Sequence, residues 1–148
     1  MRAIGPLTAP SDVVTPSALR RLAALRPLPI AVVGDSMRPT LCDGDIVGVA
    51  PERCYLPGDI IAFRQKRSGR MLVHRVLGYR RTESGWAVLA QGDACPCHDG
   101  ATPVGQIIGR VRWRGRETDP LKVSITDRLG AFTRWCRLAA AWLARKCP

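Results

Sequence analysis

Ile107-Ile108-Gly109-Arg110-Val111-Arg112-Trp113-Arg114 is the stretch from which the fold class of this chain is read. Side chains of a strand alternate at period two, so Ile107, Gly109, Val111 and Trp113 fall on one face and Ile108, Arg110, Arg112 and Arg114 on the other. Working back from it, short apolar, β-branched runs recur at Ile30–Val33, Ile46–Val49, Asp59–Phe63, Met71–Leu77 and Trp86–Leu89. Turn dipeptides such as Asp43-Gly44, Pro57-Gly58, Ser68-Gly69 and Ser84-Gly85 separate them, which is the signature of a mainly β, mostly antiparallel domain. Ahead of it, Ser17 is placed to cap a short helix over Ala18–Arg26 that Pro27 stops, and residues 1–16 read as an arm. Behind it, a polar linker over Gly115–Asp119 leads to a helix near Thr126–Lys146. In that helix Ile125, Leu129, Phe132, Cys136, Ala139 or Ala140 and Leu143 keep the helical apolar rhythm, with Trp135 and Trp142 flanking. The chain therefore divides into 1–27 (arm and helix), 28–115 (β domain) and 116–148 (linker and basic helix).

At 148 residues the chain is one domain, large enough to bury roughly 70% of its unfolded surface without help from a metal or a disulfide. The net charge of +11 belongs to its ends. Residues 1–30 carry four basic groups against one acidic and residues 110–148 ten against three, whereas 31–109 hold nine against eight. Basic ends and the row Arg110, Arg112, Arg114 suit a phosphate-binding module. The near-neutral middle, and only two Tyr and two Phe in the whole chain, offer little for stacking bases, so nucleic acid is not an expected partner. The C-terminal helix has two open roles, packing on the β domain or lying in a membrane interface as a peripheral contact. No run of 18 apolar residues is present, so no span is expected; a peripheral membrane or cytoplasmic location follows. Of the six cysteines only Cys95-Pro96-Cys97-His98 cluster. Idle thiols, a disulfide or a zinc ligand set are the readings of that cluster, and without a second ligand pair the expectation is no metal and no cofactor.

Three segments carry chemistry. Val33-Gly34-Asp35-Ser36-Met37-Arg38-Pro39-Thr40 runs a strand into a turn that presents a serine hydroxyl and aims the Ser36 N–H outward, as acyl transfer requires. Leu72-Val73-His74-Arg75-Val76 sets one of two histidines in an apolar strand. The loop Gln91-Gly92-Asp93-Ala94-Cys95-Pro96-Cys97-His98-Asp99 supplies two carboxylates able to orient an imidazole.

Together these segments resemble the type I signal peptidases, specifically the archaeal and endoplasmic-reticulum subclass, whose fold is shared with the LexA-type repressors. Gly34-Asp35-Ser36-Met37-Arg38-Pro39-Thr40 is similar to the Ser-Met-x-Pro nucleophile box. Asp43-Gly44-Asp45-Ile46-Val47 and Pro57-Gly58-Asp59-Ile60-Ile61-Ala62-Phe63 are similar to the two strand boxes that follow. His74-Arg75-Val76 stands where bacterial members carry a lysine base and this subclass a histidine. Gly92-Asp93 with Asp99 resembles the acidic box, and Ile108-Gly109-Arg110-Val111 the closing strand.

The resemblance, over about residues 29–113, implies an antiparallel β-rich catalytic domain and a serine endopeptidase that cuts leader or signal peptides after small residues. It implies Ser36 as nucleophile and His74 as base, with Asp99 orienting His74 and Asp93 sharing that task or holding the loop. It implies Gly34, Asp35 and Ser36 as the nucleophile turn, and Met37, Pro39 and Val73 against an extended peptide or preprotein substrate. A histidine serves as base near neutral pH without the desolvation a lysine needs. The chain departs from the family at Gly34, where a second oxyanion donor often stands, at Cys95–His98, which makes His98 a rival to Asp99, and in lacking an N-terminal anchor. A self-cleaving repressor is disfavoured, because Lys66, Lys122 and Lys146 lie outside the His74 strand and no Ala-Gly or Cys-Gly bond occurs.

Overall fold

A computed structural model describes residues 14–115 and 119–145. Its centre is a seven-stranded, curled antiparallel sheet made of β1 (Leu28–Ala31), β2 (Ile46–Ala50), β3 (Ile60–Arg64), β4 (Met71–Thr82), β5 (Gly85–Gln91), β6 (Ala101–Pro103) and β7 (Ile107–Arg114). The strands lie in the order β1-β2-β7-β3-β4-β5-β6, so the last strand is inserted between β2 and β3. The expected β class holds; β1 lies at Leu28–Ala31 rather than Ile30–Val33, where Leu28 to Ala31 pair with Val49 to Ile46 of β2, and two further departures have local causes. β4 and β5 run on past Leu77 and start before Trp86 as a long hairpin, since Tyr79, Arg80 and Arg81 pair with Val88, Ala87 and Trp86 although they lack the apolar signal. β6 has no β-branched run, and its pairing with Ala87–Leu89 is what makes it a strand.

The simple alternation expected of β7 is broken. Its register against β3 shifts between Ala62 and Phe63 and against β2 between Gly48 and Val49. Each shift lets one extra residue through and turns the face, so Ile108 joins Val111, Val47 and Val49 in one core cluster while Ile107 packs with Phe63, Ile61 and Val88 in another. The arginine row is not an open phosphate grip either. Arg110 lies 3.5 Å from Asp59 and Arg112 pairs with Glu52. Arg114 sits 3.7 Å from Asp45 and donates to the Thr40 carbonyl at 2.9 Å.

Helix α1 (Pro16–Leu25) starts two residues earlier than the Ser17 cap implies and ends one residue before Arg26. Proline suits the first helical position, and Thr15 takes the capping role by accepting from the Ala18 N–H at 3.3 Å. Ala23 enters the first core cluster, and Arg20 donates to the carbonyls of Val104 and Ile107. Helix α2 (Ile125–Ala144) opens with a reciprocal capping box between Ser124 and Asp127. It packs on the sheet, but not by the stripe that the sequence marks. Ala131, Trp135 and Leu138 cover Leu77 and Leu89, and the Trp135 ring lies so close to Gly78 that any Cβ there would stand 2.5 Å from it. Ile125, Leu129, Phe132 and Leu143, roughly a third of a turn away, stay exposed. Lys146, the expected helix end, and Cys147 lie outside the described residues, as do residues 1–13 of the arm.

Candidate active site

Ser36 sits in the turn that follows β1. Two carboxylates and one backbone bridge shape that turn. Asp43 accepts the Gly34 N–H at 2.7 Å, Asp45 accepts the Cys42 N–H at 2.8 Å, and the Ser36 carbonyl accepts the Ala94 N–H at 2.9 Å. The last bond pins the Ser36 turn to the loop between β5 and β6. Beneath the turn Met37, 1% exposed, is a core residue packed among Val32, Leu41 and Ile60, so the expected substrate contact through its side chain is corrected to a supporting one. Pro39 is exposed and Val73 half-buried. The Asp35 carboxylate is turned to Arg38 at 2.6 Å, on the surface.

His74 is the fourth residue of β4, opposite Ile61 of β3, and is 5% exposed. Its ring meets Phe63 edge-on at 6.3 Å. Nε2 lies 2.9 Å from Ser36 Oγ and Nδ1 lies 2.5 Å from Asp99 Oδ2. An ionised carboxylate only accepts, so Nδ1 carries the proton and Nε2 is left to accept from the serine hydroxyl. Asp99 is held by its own N–H, which donates to the Ala90 carbonyl at 2.9 Å. The three side chains come from a turn, a strand and a loop that share no local sequence, and they form a continuous relay.

Asp93, six residues earlier in the same loop, does something else. Its two oxygens take Arg75 Nε and Nη2, each at 2.7 Å, and the Thr40 hydroxyl at 2.6 Å. The shared orienting role is thereby corrected: Asp93 neutralises the neighbour of His74 on the opposite face of β4. Arg75 is 5% exposed and also donates to the Gly58 carbonyl at 2.9 Å. Burial pulls its guanidinium toward the neutral form, but the hydrogen bonds and charge of Asp93, with the charge of Asp127, outweigh that and hold it above its ordinary range. Asp127 of α2 lies 3.9 Å from Arg75, and Arg128 of α2 donates to the Pro57 carbonyl at 3.0 Å and to Asp59 at 3.1 Å. Sequence reasoning passed over Arg75, Thr40 and Arg128. An arginine inside an apolar strand run was the available signal, since a buried charge requires a partner.

His98 is not a rival for Asp99, because its Nδ1 accepts the Gly100 N–H at 3.0 Å. The Cys95–His98 segment closes on itself instead, with the Cys95 N–H donating to the Gly92 carbonyl and Gln91 Nε2 to the Cys95 carbonyl. Cys95 and Cys97 are free thiols, and among the described residues no group of three His, Cys, Asp or Glu is placed to hold a metal. Gly92 is needed where it stands. A Cβ there would lie 2.6 Å from the Ser36 carbonyl oxygen, 2.8 Å from Cys95 Sγ and 3.1 Å from His74 Nε2. Among the described residues no helix is long and apolar enough to cross a membrane.

Residues 27–111, more than half of the chain, match the family described as Peptidase S24-like. Comparison with curated proteins finds no match.

Proposed function

From the premise that the chain belongs to the Peptidase S24-like family, we propose that it is a serine endopeptidase of signal-peptidase type working through Ser36, His74 and Asp99. The observation that carries the reading is the placement of His74, with one ring nitrogen on the serine hydroxyl and the other on a carboxylate. Ser36 Oγ attacks the scissile carbonyl while His74 Nε2 takes its proton, and the imidazolium so formed is stabilised by Asp99. Collapse of the tetrahedral intermediate breaks the C–N bond, and His74 returns the proton to the leaving amine. Water then attacks the acyl-serine, with His74 again taking and returning a proton, to release the acid and regenerate Ser36.

The Ser36 N–H is our choice for an oxyanion donor, worth on the order of 3 kcal/mol in comparable sites. The Gly34 N–H is committed to Asp43 and does not serve as the second. The substrate is an extended peptide with small residues at the first and third positions before the cut, passing exposed Pro39 and half-buried Val73. A reading as a basic binding module loses its support on β7, where Glu52, Asp59 and Asp45 answer the arginines.

The test is mass-spectrometric mapping of products from peptides with Ala-x-Ala ahead of the bond. The purified protein should cut after the second Ala and the Ser36→Ala variant should not. Equal cutting by both would remove the proposal.

A further inference from the structure

Helix α2 packs on the β4–β5 hairpin through Ala131, Trp135 and Leu138, and a chamber opens on either side of Leu138. One chamber, of about 410 Å³, is walled by Trp86, Leu89, Trp135, Leu138 and Trp142, with Arg80, Arg81 and Arg145 around it. A second, of about 460 Å³, lies between Gln91, Pro96 and Cys97 of the catalytic loop and Arg134 and Arg137 of α2. His98 and Leu138 line both chambers, so the two adjoin along α2 as halves of one surface, the α2 groove, between the loop carrying Asp99 and the hairpin.

Its chemistry differs from that of the rest of the surface. Among the described residues five arginines line the two chambers and no Asp or Glu does, whereas Arg38, Arg75, Arg110, Arg112 and Arg114 each stand against a carboxylate. Two of the five are stacked on the walls, Arg80 at 5.3 Å from the Trp142 ring and Arg81 at 5.9 Å from that of Trp86. Such stacking orders aromatic walls while leaving the guanidinium edges able to donate hydrogen bonds. From Trp86 to Gln91 the groove follows β5 for about 17 Å, the span of roughly five extended residues.

We propose that this groove selects the peptide substrate by binding a segment, away from the scissile bond, in which Asp or Glu alternates with large apolar residues. The apolar side chains enter the tryptophan-walled chambers and the carboxylates meet the arginines. A segment rich in Lys or Arg is rejected by like charge, which is how a charged groove gains specificity. The inference rests on the peptidase reading for its substrate but not for its binding.

The experiment separates the two. Three peptides share one Ala-x-Ala cleavage core and carry a six-residue segment of Glu and Leu, of Ser and Gly, or of Lys and Leu, placed before the cut in one set and after it in another. Cleavage by the wild-type protein gives kcat/KM, and fluorescence anisotropy with Ser36→Ala gives Kd without turnover. In at least one set the Glu-Leu peptide should exceed the Lys-Leu peptide at least tenfold in both, and the gap should shrink at high salt. The double variant Arg81→Glu/Arg145→Glu should abolish the gap and leave the Ser-Gly peptide unchanged. Equal cleavage and binding of all three peptides would overturn the groove while sparing the peptidase. Absence of cleavage together with selective binding to Ser36→Ala would overturn the peptidase and spare the groove. Arginine-dependent binding of phosphatidylglycerol vesicles, with no preference among peptides, would assign the groove to a membrane surface and reject the proposal.

Discussion

The two faces of β4 make the same kind of contact for opposite ends. On one face His74 meets Asp99, and on the other its neighbour Arg75 meets Asp93; all four groups are largely withdrawn from water. The His74 pair keeps one nitrogen turned to a half-exposed serine, so its charge can change during a reaction. The Arg75 pair is closed on every side by Thr40, Gly58 and Asp127, and its guanidinium stays charged throughout. A carboxylate beside a base is therefore not a catalytic signal by itself. What separates the two is whether a further nucleophile completes the chain and whether the partner can lose its proton.

The comparison can be broken from either side. The largest effect expected on turnover is from His74→Ala, which removes the proton acceptor and should lower kcat per folded molecule by about 10³–10⁴-fold, read by peptide turnover corrected for the folded fraction, since it also leaves Asp99 without its partner at a cost of about 1–3 kcal/mol. Next is Arg75→Met. It strands Asp93 as a buried, unpaired charge and should cost about 3–5 kcal/mol in urea unfolding. Gly92→Ala forces the Ser36 turn and His74 to move and should slow turnover per folded molecule by about 10²-fold, with about 1–3 kcal/mol lost in urea unfolding.

The smallest effect concerns the bridge from α2. Asp127 is held below the usual carboxylate range, chiefly by the Ser124 hydroxyl and also by the charge of Arg75. A lowered value contributes stability that is fully present above the ordinary carboxylate range and is lost as pH falls through the lowered one. Asp127→Asn should cost under about 1 kcal/mol at pH 7, and thermal melts of variant and wild type should converge as the pH is taken down through that lowered value.

Much of this was legible in residue order. Ser36, His74 and Asp99 sit in boxes whose succession implies their meeting, and turn dipeptides mark the strand ends. Other features were hidden for physical reasons. Which of two acids in one loop faces the histidine depends on a carbonyl anchor at Ala90 and on the pull of Arg75, neither of which is a local sequence property. The face by which α2 packs was hidden because two apolar stripes share the helix. Trp135 wins by fitting over Gly78, a partner far away in sequence, and the more regular stripe of Ile125, Leu129 and Phe132 stays outside. The bulges in β7 arise from pairing with two different neighbours and leave no mark in its own eight residues.

The division of labour between the two carboxylates is tested most directly by measuring kcat for Asp99→Asn and Asp93→Asn side by side, each corrected for its folded fraction from urea unfolding. Asp99→Asn should lose at least about 10²-fold in turnover and keep most of its stability, because the wrong imidazole tautomer is then favoured. Asp93→Asn should lose stability and keep turnover per folded molecule within a few-fold. Equal losses of turnover in the two, or a larger loss in Asp93→Asn, would contradict the account.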